Sequence, residues 1–232
     1  MATGKQVDEE GVREFFWILS HTFSIAIWLL LMLLLAIGAD LLAARFLWTG
    51  DPVGGMEHLI AFYLNQSTAP DLSQKCSQLL YQALFGWDGI DAAARNWAAG
   101  DVPTGMMGRL LTHDFFGGPL SAYLTVAMYG AKLFGIRVAM LVMVLPQFVL
   151  ILFLALIDGL VERYIRRECG GNESSTRFHH AKRWTRMGLA PLVILTWLVV
   201  PWPLYVHWLF FPVVLVTAFA IRVMAKYYKK YL

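Results

Sequence analysis

Only two cysteines, Cys76 and Cys169, occur in the 232 residues. That excludes a disulfide framework, and no second Cys or His stands at zinc-site spacing beside either of them. Charge is missing in a more telling way. Lys, Arg, Asp and Glu are absent from residues 15–39, 138–157 and 187–221, and they make up only 15% of the chain. Hydrophobic residues reach 58%, with a mean hydropathy of +0.57, where a soluble domain sits near ~45–50%. The chain therefore reads as a multispanning membrane protein. Internal repeats and low-complexity tracts are absent, as is any nucleophile–base–metal constellation, so no enzymatic chemistry, cofactor or metal is expected. A pI of about 8.9 could suggest a nucleic-acid binder, but the net charge is only +3 and the bases gather beside apolar runs. Membrane orientation accounts for that placement.

Residues 1–14 are polar and slightly acidic, and are expected to form a mobile cytoplasmic tail. Residues 15–39, at ~1.5 Å per helical residue, exceed the ~30 Å hydrocarbon core. They read as an uncleaved first membrane helix, because a signal peptide would have a positive flank and a shorter apolar run. His21, near its start, is expected to bond locally. Residues 40–137 form a periplasmic region, since between 45 and 118 seven acids face four bases. Met56, Leu59, Ile60, Tyr63 and Leu64 recur at helical spacing, as do Leu72, Cys76, Leu79, Leu80 and Ala83 behind Pro70 and Asp71. Two short amphipathic helices follow, with apolar faces resting on the membrane helices or on a partner. Trp87, Trp97, Phe115 and Phe116 among the glycines of 86–118 predict a loop with interfacial aromatic anchors.

Pro119 fits the first position of the next helix. Residues 120–157 contain only Lys132 and Arg137 as charges and are too long for one crossing. The expected second membrane helix is 138–157, with 120–137 lying along the outer surface or projecting from it. Gly130 and Gly135 offer a bend and Pro146 a kink; Lys132 and Arg137 then sit outside. Residues 188–221 break at Pro201, Trp202 and Pro203 into a hairpin of two segments, each near or below the ~20 residues a span requires. Short tilted spans and a re-entrant hairpin both fit. Residues 222–232 carry four bases and no acid, as a cytoplasmic tail would.

Residues 158–187 hold seven of the 19 Lys and Arg against four acids, and the positive-inside bias keeps such a basic hairpin cytoplasmic. Both termini then lie on that same side. Asp158 and Glu162 could in principle form an acid/base pair, but Glu162 also faces Arg166 one helical turn on, and a surface ion pair is the expectation. His179 and His180 are adjacent, so on a helix they diverge by about 100° and do not share a metal. Gly170 and Gly171 permit chain reversal, and Ser174, Ser175 or Thr176 can cap a helix bearing His179, Lys182, Arg183 and Arg186 as one stripe. With His180, with Arg163, Arg166 and Arg167 before the reversal, and with Lys226, Lys229 and Lys230 in the tail, these are the candidate contacts to anionic lipid headgroups or to a protein partner. Direct nucleic-acid contact is not expected, because no aromatic platform accompanies the bases.

The run IDGLVERYIRRECGGNESSTRFHHAKR at 157–183, the proline-broken hairpin after it and the terminal YYKKYL together resemble membrane proteins of uncharacterised function from integrating conjugative elements and conjugative plasmids. The resemblance implies a place in a conjugative type IV secretion system of a Gram-negative inner membrane, with a type IV coupling ATPase as partner. The resulting expectation is an all-α, polytopic membrane protein of about four membrane segments with a small periplasmic helical region. Its expected role is that of a non-enzymatic accessory subunit that docks or supports the coupling ATPase; self-association is compatible with this. A transporter or channel component is the alternative, disfavoured because the expected spans carry no acid or base for an ion path.

Overall fold

A computed structural model describes residues 3–48, 50–86, 96, 114–115, 118–169, 183 and 189–228. The protein is an all-α membrane protein. In chain order it has α1 (Thr3–Phe46), α2 (Pro52–Gln66), α3 (Pro70–Phe85), a two-residue antiparallel pairing of β1 (Asp114–Phe115) with β2 (Gly118–Pro119), α4 (Leu120–Glu168), α5 (Leu189–Val199) and α6 (Val206–Lys226). Pro119, expected as a first helical residue, instead closes β2 immediately before α4. The helix α1 begins at Thr3, so the polar stretch expected as a mobile tail extends the first helix. Its Lys, Gln and Glu residues are good helix formers.

The 49 residues of α4 form one continuous helix through Pro146, ~73 Å long at ~1.5 Å per residue. Neighbouring helices are aligned along it. Phe148 meets Phe210 at 5.7 Å between ring centroids, and Arg222 meets Asp158 and Glu162, so α4 and α6 run parallel. Asp40 lies beside Gly130, and Gly38, Leu41 and Phe46 line one groove with Leu120 and Tyr123, so α1 is antiparallel to α4. Among the described residues α1, α4 and α6 are long and apolar enough to cross a membrane. The segment expected between α4 and α6 contributes α5 with 11 residues, ~17 Å of helix against the ~30 Å core.

Residues 120–137 project beyond the charge-free run and form the centre of a helical bundle with α2, α3 and the end of α1. Val126, Ala131, Leu133, Phe134 and Ile136 are buried there with Met56, Leu59, Tyr63, Leu33 and Ala36. Asp51 starts α2 by accepting from the Gly54 amide at 2.8 Å, with Pro52 in the first turn. The glycines expected to bend α4 are points of close approach instead. A β-carbon on Gly135 would lie 2.8 Å from the Ser77 Cα. That proximity decides which face of α3 turns inward: Ser73 and Ser77 are buried, whereas Leu72 and Leu79, expected inside, are exposed. Only small side chains fit between backbones so close, as in membrane helix pairs.

The other half of the molecule presents apolar side chains outward. Phe16, Phe23, Leu31 and Leu35 on α1, Val142, Val149, Phe153 and Leu154 on α4, and Trp208, Phe211 and Phe219 on α6 are all exposed. Such a belt is stable only in a lipid environment. His21 bonds locally, its Nδ1 2.9 Å from the Trp17 carbonyl, and both cysteines are free thiols.

Candidate functional site

Pro201 and Pro203 end α5 and delay α6, so residues 198–206 carry backbone groups that no helix satisfies. At the edge of an apolar belt those groups need protein partners. Arg137, only 1% exposed, supplies them: its Nη1 donates to the Leu198 carbonyl at 3.1 Å and its Nη2 to the Val200 carbonyl at 2.9 Å. A guanidinium at a helix C-terminus also meets the negative end of the helix dipole. From α2, the Tyr63 hydroxyl donates to the Trp202 carbonyl at 2.7 Å and accepts from the Leu204 amide at 3.2 Å. Gln66, with its amide oriented to suit its neighbours, donates to the Leu204 carbonyl and accepts from the Val206 amide. Trp197 closes the arrangement by donating its indole N–H to the Arg137 carbonyl at 3.3 Å, with its ring edge-on to Tyr63. The hairpin turn is thereby held to α2 and α4 by side chains that reach its backbone.

Arg137, expected outside the membrane with Lys132, is buried within the protein, because the proline break creates interior acceptors for it. Lys132 is half-buried between aromatic faces, its Nζ 4.2 Å from the Tyr81 ring centroid and 5.1 Å from that of Tyr129. Asp40 is also only 1% exposed. One of its carboxyl oxygens has no hydrogen-bond partner among the described residues, and the other stands where a β-carbon of Gly130 would clash.

The opposite end of α4 carries a second polar cluster, where α6 runs alongside. Asp158 and Glu162, one helical turn apart, both face Arg222, the first at 2.6 Å, and Glu162 also meets Lys226 at 2.8 Å. Gly159 sits between the two carboxylates, and a β-carbon there would lie 2.5 Å from the Arg222 carbonyl oxygen. Arg166, one turn past Glu162, donates to the Lys226 carbonyl and lies 4.4 Å over the Tyr227 ring. Arg163 lies over Tyr228 at 5.3 Å. Glu162 thus pairs across helices with Arg222 and Lys226, while Arg166, its expected partner, caps the end of α6.

Of the candidate contact residues, Arg163, Arg166 and Lys226 are brought together here and are half-buried, while Arg167 and Arg183 are exposed. His179, His180, Lys182, Arg186, Lys229 and Lys230 lie outside the described residues, as do the expected reversal at Gly170 and Gly171, the caps at 174–176, and the aromatics Trp87, Trp97 and Phe116. Sequence reasoning missed Tyr63, Gln66, Trp197 and Asp40. The available signal was a lone arginine one residue before an apolar run, in a chain whose later hairpin is broken by two prolines.

The family model described as "DtrJ-like: IncC plasmid conjugative DNA transfer protein DtrJ-like" matches residues 57–229, a stretch that takes in both polar clusters. No curated protein and no solved structure matches the chain.

Proposed function

The chain belongs to the DtrJ-like family of plasmid conjugative DNA transfer proteins, and from that premise we propose a non-enzymatic accessory subunit of a conjugative type IV secretion system in the inner membrane. It docks or supports the coupling ATPase during DNA transfer. The observation that carries this reading is the pairing at the end of α4. Asp158 and Glu162 are neutralised by Arg222 and Lys226, so the two carboxylates brace helices instead of meeting a substrate, while Arg167 and Arg183 remain exposed. The braced end exposes Arg167, and the positive-inside bias puts it in the cytoplasm. Reporter fusions check the orientation. Fusions after Gly171 and Leu232 are expected to report cytoplasm and one at Gly100 periplasm; a cytoplasmic Gly100 contradicts it.

Reversing Lys182, Arg183 and Arg186 together to Glu tests the docking role. Conjugation and recovery of the coupling ATPase should fall by tenfold or more, about 1.4 kcal/mol or greater, because reversal sets like charges against an acidic partner surface. Membrane insertion should persist, since Arg163, Arg166 and Arg167 still hold this end inside. Normal transfer at normal protein level would rule the docking role out. A second reading, a transporter or channel component, draws on Asp40, since buried acids in membrane proteins mark ion paths. It ranks below because Arg137, the other fully buried charge among the described residues, is committed to the hairpin carbonyls.

A further inference from the structure

We propose that the outer face of α4 at Leu160, Arg163, Tyr164 and Arg167 binds an anionic phospholipid, its phosphate between the two arginines and its acyl chains along the apolar stripe leading to them. These residues and Glu168 line a groove of ≈520 Å³. Its depth suits a headgroup. Leu160 and Arg163 come three and six residues after the charge-free run ends at Ile157, ~5–9 Å further along the helix, and the headgroup layer occupies ~5–8 Å on each side of the hydrocarbon. Arg167 lies one turn deeper into the aqueous side and reaches back along its apolar stem.

The stripe is continuous. Leu150, Phe153, Ile157, Leu160 and Tyr164 are exposed and succeed one another by three or four residues, ending at exposed Arg167. Acyl chains against the first three residues place a phosphate beside the last three. Charge is sorted by face, because Asp158 and Glu162 point to α6 and are held by Arg222 and Lys226. They do not neutralise the groove. Arg163 is supported from behind by the Tyr228 ring at 5.3 Å, and Arg163 with Arg167 forms an i,i+4 pair whose side chains are neighbours on one face. Two guanidinium forks suit a phosphate diester. Glu168, which also lines the groove, favours a headgroup with hydroxyl donors, as phosphatidylglycerol has, over a doubly charged phosphate monoester.

The site rests on membrane depth and charge, so it stands apart from the coupling-ATPase reading. The full chain is reconstituted in nanodiscs of phosphatidylcholine and phosphatidylglycerol, and the lipids that stay bound on gentle release are counted by native mass spectrometry. Retention of phosphatidylglycerol over phosphatidylcholine is expected. In the Arg163→Gln/Arg167→Gln variant that preference should fall roughly tenfold or more, as expected for removing two bases near an anionic surface. Arg163→Lys/Arg167→Lys should keep part of it, and Arg45→Gln/Lys75→Gln, equal in charge but far from the groove, should keep all of it. Circular dichroism of each variant in the nanodisc reports the fold. An unchanged lipid preference in the double Gln variant overturns the proposal, and so does an equal loss in the distant control. Loss of coupling-ATPase recovery with phosphatidylglycerol retention intact would also overturn it, by assigning the groove to a protein partner.

Discussion

Arg137→Leu should destabilise the protein by about 3–5 kcal/mol. Exchange of a buried ion pair for apolar residues is often harmless because both partners leave together. Here the partners are the Leu198 and Val200 carbonyls, which no substitution removes. The Leu198 carbonyl is left without a partner, at about 1–3 kcal/mol; the Val200 carbonyl keeps the Trp202 amide at 2.9 Å but loses a charge-assisted bond, and the guanidinium that stacks 4.8 Å over Tyr63 is lost with them. Arg137→Lys should recover only part, since one ammonium cannot reproduce the fork that reaches two carbonyls. Thermal unfolding of the detergent-solubilised chain checks this: at roughly 2–4 °C per kcal/mol for this size, Arg137→Leu should melt on the order of 10 °C lower. A shift of only a degree or two would mean that Arg137 is not what holds the hairpin turn. Tyr63→Phe, which removes one hydroxyl from the same turn, should fall between that variant and wild type.

This arginine also shows where sequence reasoning reached its limit. Apolar runs without charge identify α1, the second half of α4 and α6, because burial in lipid leaves a signal in composition alone. Helical spacing in 56–64 identifies α2, because its apolar face is local. The burial of Arg137 is not a local property. The positive-inside bias weighs charges by their position along the chain, whereas the acceptors that fix Arg137 come from a proline break some 61 residues later. The inward face of α3 was illegible for a related reason. Leu72 and Leu79 satisfy the helical period as well as Ser73 and Ser77 do, and only the closeness of Gly135 selects the serines. Ser73 and Ser77 at i,i+4, facing a chain rich in helical glycine, could have suggested small-residue packing. At the far end, the charges of 158–168 were legible as a cluster, but their pairing was not, since Glu162 has Arg166 one turn away and Arg222 sixty residues away. The parallel course of α4 and α6 decides for the distant partner.

Gly159→Leu should separate α6 from the end of α4 and lower conjugation by more than tenfold at normal protein level. A β-carbon at this position would lie 2.5 Å from the Arg222 carbonyl oxygen and 2.7 Å from the Ala225 Cβ. The first neighbour is backbone, so relief requires moving a helix. Overpacking of this kind costs about 1–3 kcal/mol, and between membrane helices little hydrophobic drive opposes separation, because lipid solvates the parted faces as well as protein does. As α6 moves away, the Arg222 and Lys226 pairs with Asp158 and Glu162 are stretched, and Arg166 loses the Lys226 carbonyl. Two acids and an arginine so released alter the charge of the surface on which the proposed docking depends. Gly159→Ala should show a smaller form of the same effect. The measurement is a spin-label distance between Tyr164→Cys and Tyr228→Cys, both exposed positions, with Cys76 and Cys169 replaced by Ser. In Gly159→Leu that distance should lengthen by several ångströms and broaden, while labels at Leu72→Cys and Leu79→Cys on α3 keep their wild-type separation. If Gly159→Leu leaves the distance unchanged, the close packing at Gly159 is wrong. If the helices part and transfer stays normal, the braced end of α4 is not the surface through which this protein serves conjugation.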